Sequence, residues 1–225
     1  MTETAALAAT EAWEAAYLRF ETPEQEIGKF TKRLRAVGAA TWPRDARILE
    51  MFCGRGNGLV ALDRLGFTRL HGVDLSPRLL RLYRGRARCW AADCRAMPIA
   101  SASHDVAIVQ GGLHHLPDVT ADLPAVMREV QRVLAPGGLF VVVEPWLTPF
   151  LRLAHAACDS PARRWWERLD ALATMIDYER ETYTRWLAHP GFIRSTLTAT
   201  FETQIRRESW GKLVFAGRNT GGARP

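Results

Sequence analysis

Ile48-Leu49-Glu50-Met51-Phe52-Cys53-Gly54-Arg55-Gly56-Asn57-Gly58-Leu59-Val60-Ala61-Leu62 decides the fold of this chain. A short apolar run closes on an acid, Glu50. Glycines then fall at every second position, Gly54, Gly56 and Gly58, before a helical apolar spacing begins. This predicts a strand, a tight turn and a helix N-terminus. Glycine has no side chain, so such a turn lets a ligand lie against bare backbone at a positive helix end. A second acid, Asp74, closes the next strand pattern, Leu70-His71-Gly72-Val73-Asp74, 24 residues after Glu50. Glycines beneath a ligand and a carboxylate on a ribose describe a nucleotide-like cofactor site. The spacing is not the Gly-x-Gly-x-x-Gly of dinucleotide sites. No Gly-x-x-x-x-Gly-Lys-Ser/Thr run supports a triphosphate loop.

Working outward, strands and helices alternate. A helix is expected over 57–65, a strand over 69–74, a helix from Ser76-Pro77 to about Arg84, and a strand over 87–92. A strand from Asp105 to Gln110, a helix from Asp118 to Leu134 and a near-continuous apolar strand from Leu139 to Glu144 follow. That rhythm predicts an α/β, doubly wound, parallel sheet buried on both faces. Residues 1–44 read as an N-terminal helical lid or dimer contact, with one helix over 3–20 carrying Tyr17 and a second opening at Thr22-Pro23. Residues 45–145 read as the cofactor-binding core, and 146–190 as a helical, aromatic acceptor-binding insertion. Residues 191–218 read as closing strands, around Phe201 to Arg207 and Trp210 to Ala216, and 219–225 as a loose tail.

The 225 residues suit one elaborated domain, and 48% apolar content suffices for a core. No apolar run reaches the ~18–20 residues of a membrane span. The acidic N-terminus is unlike a secretory leader, so the expected compartment is cytoplasmic. Cys53, Cys89, Cys94 and Cys158 form no Cys-x-x-Cys pair, so reduced thiols are expected. The net charge of +6 is carried by dispersed arginines, which does not by itself specify a nucleic-acid partner.

The order of motifs over residues 46–145 resembles the class I S-adenosylmethionine-dependent methyltransferases, in particular those acting on quinones, sterols, sugars and natural products. Five stations carry the resemblance: Glu50 to Gly58; Gly72-Val73-Asp74-Leu75-Ser76; Ala92-Asp93-Cys94 with Met97-Pro98; Asp105 to Asp118 with Leu113-His114-His115-Leu116-Pro117; and Arg132-Val133-Leu134-Ala135-Pro136-Gly137-Gly138-Leu139. The resemblance implies S-adenosyl-L-methionine as methyl donor, with S-adenosyl-L-homocysteine as product. It also implies a seven-stranded, mostly parallel sheet with an antiparallel last strand. The cofactor residues it implies are Glu50, Cys53, Gly54, Gly56, Gly58, Asp74, Leu75, Asp93, Cys94, Gln110 and Gly111. One position departs from the pattern: Phe52 stands where the family has glycine. Phenylalanine suits an extended strand end but not glycine's positive φ, and the ring is expected to face the core, with lining of the cofactor pocket the alternative.

Methyl transfer from a sulfonium needs an aligned nucleophile in a dry pocket. His114, just beyond the fourth strand, is the candidate general base as a neutral imidazole, with Glu144 to orient it; packing is the alternative. His115, Trp146, Arg152, His155, Trp165 and Trp166 are the candidate acceptor contacts, although aromatic side chains at this spacing also pack onto sheets. The histidines show no metal spacing and no acidic ligand is recognisable, so no metal is expected. The expected acceptor is a small molecule, methylated on oxygen, and the expected state is a monomer or homodimer. An RNA or protein methyltransferase, or a non-catalytic cofactor-binding protein, stays open. The place after strand four reads Gln110-Gly111-Gly112-Leu113 rather than Asn/Asp-Pro-Pro-aromatic, which disfavours base methylation.

Overall fold

The structure is a computed structural model that describes residues 21–160 and 165–221. The helix expected over 3–20 lies outside the described residues. Thr22 caps α1 (Pro23–Ala36) in a reciprocal capping box with Gln25. Strand β1 (Arg47–Met51) leads through the glycine turn into α2 (Asn57–Arg64), and β2 (Arg69–Asp74) follows. Next come the single-turn α3 (Pro77–Leu80), β3 (Arg88–Ala91), β4 (His104–Gln110), α4 (Val119–Val133) and β5 (Leu134–Pro145). The C-terminal third holds α5 (Pro149–Asp159), α6 (Glu167–Ala188), α7 (Pro190–Thr200), β6 (Glu202–Ser209) and β7 (Lys212–Arg218).

The seven strands form one sheet in the order β3-β2-β1-β4-β5-β7-β6. β1 pairs in parallel with both β2 and β4, and β7 runs antiparallel to both β5 and β6. The chain therefore leaves β1 toward one edge and returns to its other side. That reversal opens a crevice at the carboxyl ends of β1 and β4.

Strand residues alternate between two buried layers. Leu49, Met51, Val109 and Phe140 pack against α4 and α7, while Ile48, Ile108 and Val141 pack against Ile27, Phe30 and Leu34 of α1 and Leu59 and Leu62 of α2. Glu50 sits on the second face, turned toward α1 and α2.

Three elements differ from expectation. The helix after Ser76 ends at Leu80 rather than Arg84, because Tyr83 folds back: its ring covers Gly56 and its hydroxyl accepts the Ala87 N–H at 3.1 Å. The stretch from 191, read as the start of the closing-strand region 191–218, instead forms α7 up to Thr200, a helix whose threonine-rich sequence resembles β-structure. Its Ile193 and Leu197 are buried against α4. Phe52, expected to be extended, has φ 54°.

Candidate active site

A cavity of about 820 Å³ opens at the carboxyl ends of β1, β2 and β4. That is within the range of small-molecule sites, about 300–1,000 Å³. One wall is α1, through Glu26, Lys29, Phe30 and Arg33; the far end is α6, through Met175, Tyr178 and Glu179.

At the first end, Asp74 closes β2 and ties the glycine turn to it. Its Oδ2 accepts the Gly54 N–H at 2.7 Å, and its Oδ1 accepts the Ser76 N–H at 2.8 Å. Gly54 lines the cavity with φ 53°, and Cys53 is buried beside it. Gly56 and Gly58 do not line it. Gly56 takes φ 80° under the Tyr83 ring, and a Cβ at Gly58 would run into the Glu50 carboxylate. These glycines make room for neighbouring side chains; of the three in the turn, Gly54 offers bare backbone to a ligand, as does Gly111 after β4.

Glu50 is buried at the cavity wall. Burial, reinforced by the neighbouring Glu26 carboxylate, pushes its carboxyl up to about 8. Glu50 is paired with the Gln110 amide and the Leu59 backbone, yet its Oε2 and both Gln110 amide atoms make no well-formed hydrogen bond. Buried, loosely paired polar atoms on one cavity wall are a recess for a polar or cationic ligand group. Glu26 Oε2 accepts from Asn57 Nδ2 at 2.6 Å, fastening α1 to the glycine turn.

Asp93 and Cys94 line the same cavity, and Leu75 stands exposed on its rim. Asp93 is committed to Arg95, which grips both its oxygens and reaches Asp122 at 2.6 Å. That guanidinium holds the Asp93 carboxyl below its ordinary value. Burial pushes the Cys94 thiol up to about 12.

Phe52 lies between the two ends. It lines the cavity and packs on the core from a left-handed backbone conformation. Gly112 makes this conformation workable, since a Cβ there would lie 2.5 Å from Phe52 Cβ. The Phe at the family's glycine position therefore keeps glycine's backbone geometry, at a cost of about 1–2 kcal/mol.

At the second end, a short helical turn over Leu113–His115 presents two histidines. Buried Glu144 organises it. Its Oε1 accepts the Gly112 and Leu113 N–H groups at 2.7 and 2.8 Å, and its Oε2 accepts from His114 Nδ1 at 2.7 Å. His114 Nε2 is 3.6 Å from Glu179 Oε2, and His115 Nδ1 is 3.9 Å from Glu179 Oε1. Burial works to lower the His114 pKa, but the two carboxylates outweigh it and raise it to about 9. The two carboxylates thus favour the protonated imidazole over the neutral form expected of a resting base. His115 goes the other way, to about 4, through burial and the charge on His114.

The expected acceptor contacts divide. His115 lines the cavity. His155 lies behind it, in a second cavity of about 370 Å³ between α5 and α6, bonded to Tyr183 Oη at 3.1 Å. Trp146 is buried and bonds Glu208 Oε2 through Nε1, away from both cavities. Arg152 lies on the exposed side of α5, and Trp165 and Trp166 are 91% and 69% exposed. None of these three lines either cavity. Their place is taken by Met175, Tyr178 and Glu179, whose only sequence signal is i, i+3, i+4 spacing on one helix face. Glu179 is also the acidic partner to the histidines that the sequence did not reveal.

The comparisons agree with this geometry. Residues 49–142 match the family model described as a methyltransferase domain. The chain is 31% identical over 173 residues to a malonyl-[acyl-carrier protein] O-methyltransferase of Halorhodospira halophila, covering 68% of this chain and 57% of that one. It is 32% identical over 120 residues to a demethylmenaquinone methyltransferase of Thermus thermophilus, covering 50% and 53%. The chain thus spans little more than half the length of these relatives. Among solved structures, the PH0226 protein of Pyrococcus horikoshii superimposes with a TM-score of 0.64 at 17% identity, over 86% of this chain and 92% of that one. Over residues 49–142 the chain is thus similar to a methyltransferase domain, and its strand order with the reversed seventh strand gives it the Rossmann-like fold of the class I S-adenosylmethionine-dependent methyltransferases.

Proposed function

We propose that this chain transfers a methyl group from S-adenosylmethionine to an oxygen of a small, ring-bearing acceptor. One observation carries the reading. The acid-tethered glycine turn and the His114–Glu144–Glu179 cluster open on the same cavity, at opposite ends. The residues fit the cofactor. Asp74 would take the ribose hydroxyls, Gly54 the adjoining backbone contact, and the loosely paired Glu50 and Gln110 the charged amino-acid end. A cation at that recess would draw Glu50 into its ionised form. The rim formed by Leu75, Asp93 and Cys94 is the place for the base.

The sulfonium of the bound cofactor supplies an activated methyl group. The protein's part is alignment and exclusion of water. The Phe52 ring floors the middle of the cavity, and Met175 and Tyr178 of α6 cover the acceptor end. His114, favoured in its protonated form, would hold the acceptor oxygen, and the neighbouring Glu179 or His115 would take its proton as the methyl group is transferred. The quinone and acyl-carrier-protein relatives named above support an acceptor that is a small molecule or a small group carried on a protein.

The test has two stages. Calorimetry with S-adenosylmethionine measures binding, with D74A and E50A each expected to weaken it at least tenfold. Incubation with labelled cofactor and a panel of hydroxylated quinones, phenols and sterols, read by mass spectrometry, measures transfer. Absence of cofactor binding refutes the proposal. Binding without transfer to any member of the panel favours a non-catalytic cofactor-binding protein.

A further inference from the structure

We propose that His114, His115 and Glu179 form a binding site for one divalent transition-metal ion at the acceptor end of the cavity. Three features carry it. First, one ligand atom from each residue lies within 4.8 Å of the other two, and the pairs to Glu179 are separated by 3.6 and 3.9 Å. Ligands placed about 2.0–2.2 Å from a tetrahedral ion are about 3.3–3.6 Å apart, so small side-chain movements complete the site.

Second, the outer layer is already built. Glu144 accepts from His114 Nδ1 at 2.7 Å and is itself pinned by the Gly112 and Leu113 N–H groups. A carboxylate behind a histidine fixes ring orientation and leaves the far nitrogen as ligand, as is usual around bound metals. Here the far nitrogen, Nε2, faces Glu179, and the ion displaces its proton to solvent as it binds. Third, three ligands on the wall of a large cavity leave coordination positions open to it, as in catalytic rather than structural sites. Two imidazoles and one carboxylate select zinc, cobalt or iron over magnesium or calcium.

The role of the ion rests on the methyl-transfer reading; its binding does not. With an acceptor hydroxyl as a further ligand, the ion holds the oxygen as the oxyanion while the proton passes to bulk water. The oxyanion then forms the bond to the methyl carbon, and the cofactor leaves as the neutral thioether.

The test uses the chelator-stripped full chain. Titration with Co²⁺, followed by visible absorption, and dialysis against Zn²⁺, followed by metal analysis, should each give one equivalent in the wild type. E179Q and H115A should each weaken binding at least tenfold, while E181Q, exposed on the same helix, should bind as wild type. X-ray absorption on the Zn²⁺-loaded wild type should count two imidazoles, a measurement that needs no variant to fold. No binding by the wild type, fewer than two imidazoles, or unchanged binding by folded E179Q and H115A overturns the site. Full methyl transfer by the stripped protein overturns the role. Failure of the methyl-transfer reading itself would show separately, as metal-loaded protein that does not bind S-adenosylmethionine.

Discussion

Phe52 and Gly112 form a compensating pair, and their coupling can be measured. Phe52 takes φ 54°, and its ring fills the space in front of Gly112. In G112A the new Cβ would lie 2.5 Å from Phe52 Cβ and 2.6 Å from its Cδ2. Carbon atoms prefer about 3.5–4.0 Å, so the shortfall is about 1 Å against a side chain whose backbone is already strained. Gly112 has φ −135°, which alanine adopts freely, and G112A keeps the backbone N–H that Glu144 accepts. The cost is therefore overpacking alone, about 1–3 kcal/mol. At about 2–4 °C per kcal/mol for a domain of this size, the melting temperature falls by about 2–12 °C. F52G exchanges about 1–2 kcal/mol of backbone relief for a comparable loss of ring burial and a gain in chain entropy, and ends within about 1 kcal/mol of wild type. In the F52G background the clash is gone, so G112A should cost less than about 0.5 kcal/mol, the error expected for independent sites. Urea unfolding of the four proteins gives the coupling from the midpoints at constant m-value. A cost of G112A that is the same in both backgrounds refutes the pairing.

Glu50, raised to about 8 from 4.5, keeps its proton when the unfolded chain has lost it. The ligand-free protein should lose stability as pH rises from about 4.5 to 8, and E50Q should remove at least about 1 kcal/mol of that slope in melts across pH. His104 is lowered to about 4 by burial, then by the neighbouring His71, whose Nδ1 lies 2.7 Å from its Nε2. The unfolded state binds this proton first as pH falls. Stability held above about 6.5 should therefore decline toward pH 4 by up to about 3 kcal/mol, and H104Q should flatten that limb in urea unfolding. M175A and Y178A should raise the KM for the acceptor at least threefold and leave cofactor binding within twofold, whereas W165A and W166A should change neither, as steady-state kinetics and calorimetry would show.

The sheet and the glycine turn were legible because they rest on local chemistry. Apolar runs closing on Glu50 and Asp74, and Asp118 or Thr22 at helix starts, carry their own geometry. Features set by distant residues were not legible. The left-handed backbone of Phe52 depends on the missing side chain of Gly112, sixty residues on. Gly58 looked like a ligand contact because nothing local shows that Glu50 would fill the space over it. The identity of α7 was hidden because Thr196, Thr198 and Thr200 favour strands, and packing of Ile193 and Leu197 onto α4 overrides that preference. The histidine pair was visible, but its charge was not, since Glu179 joins it only when α6 lies across the sheet end.

The placement of α6 divides the cavity between two kinds of support. Apart from the α1 wall, the end beside Asp74 hangs from strand ends and the turns that follow them, between Glu50 and Gly111, where a substitution disturbs the sheet. The far end owes Met175, Tyr178 and Glu179 to the outward layer of one helix, which the strands only support. Substitutions on that single helical face would therefore reshape one end of the cavity and leave the strand ends at the other as they are.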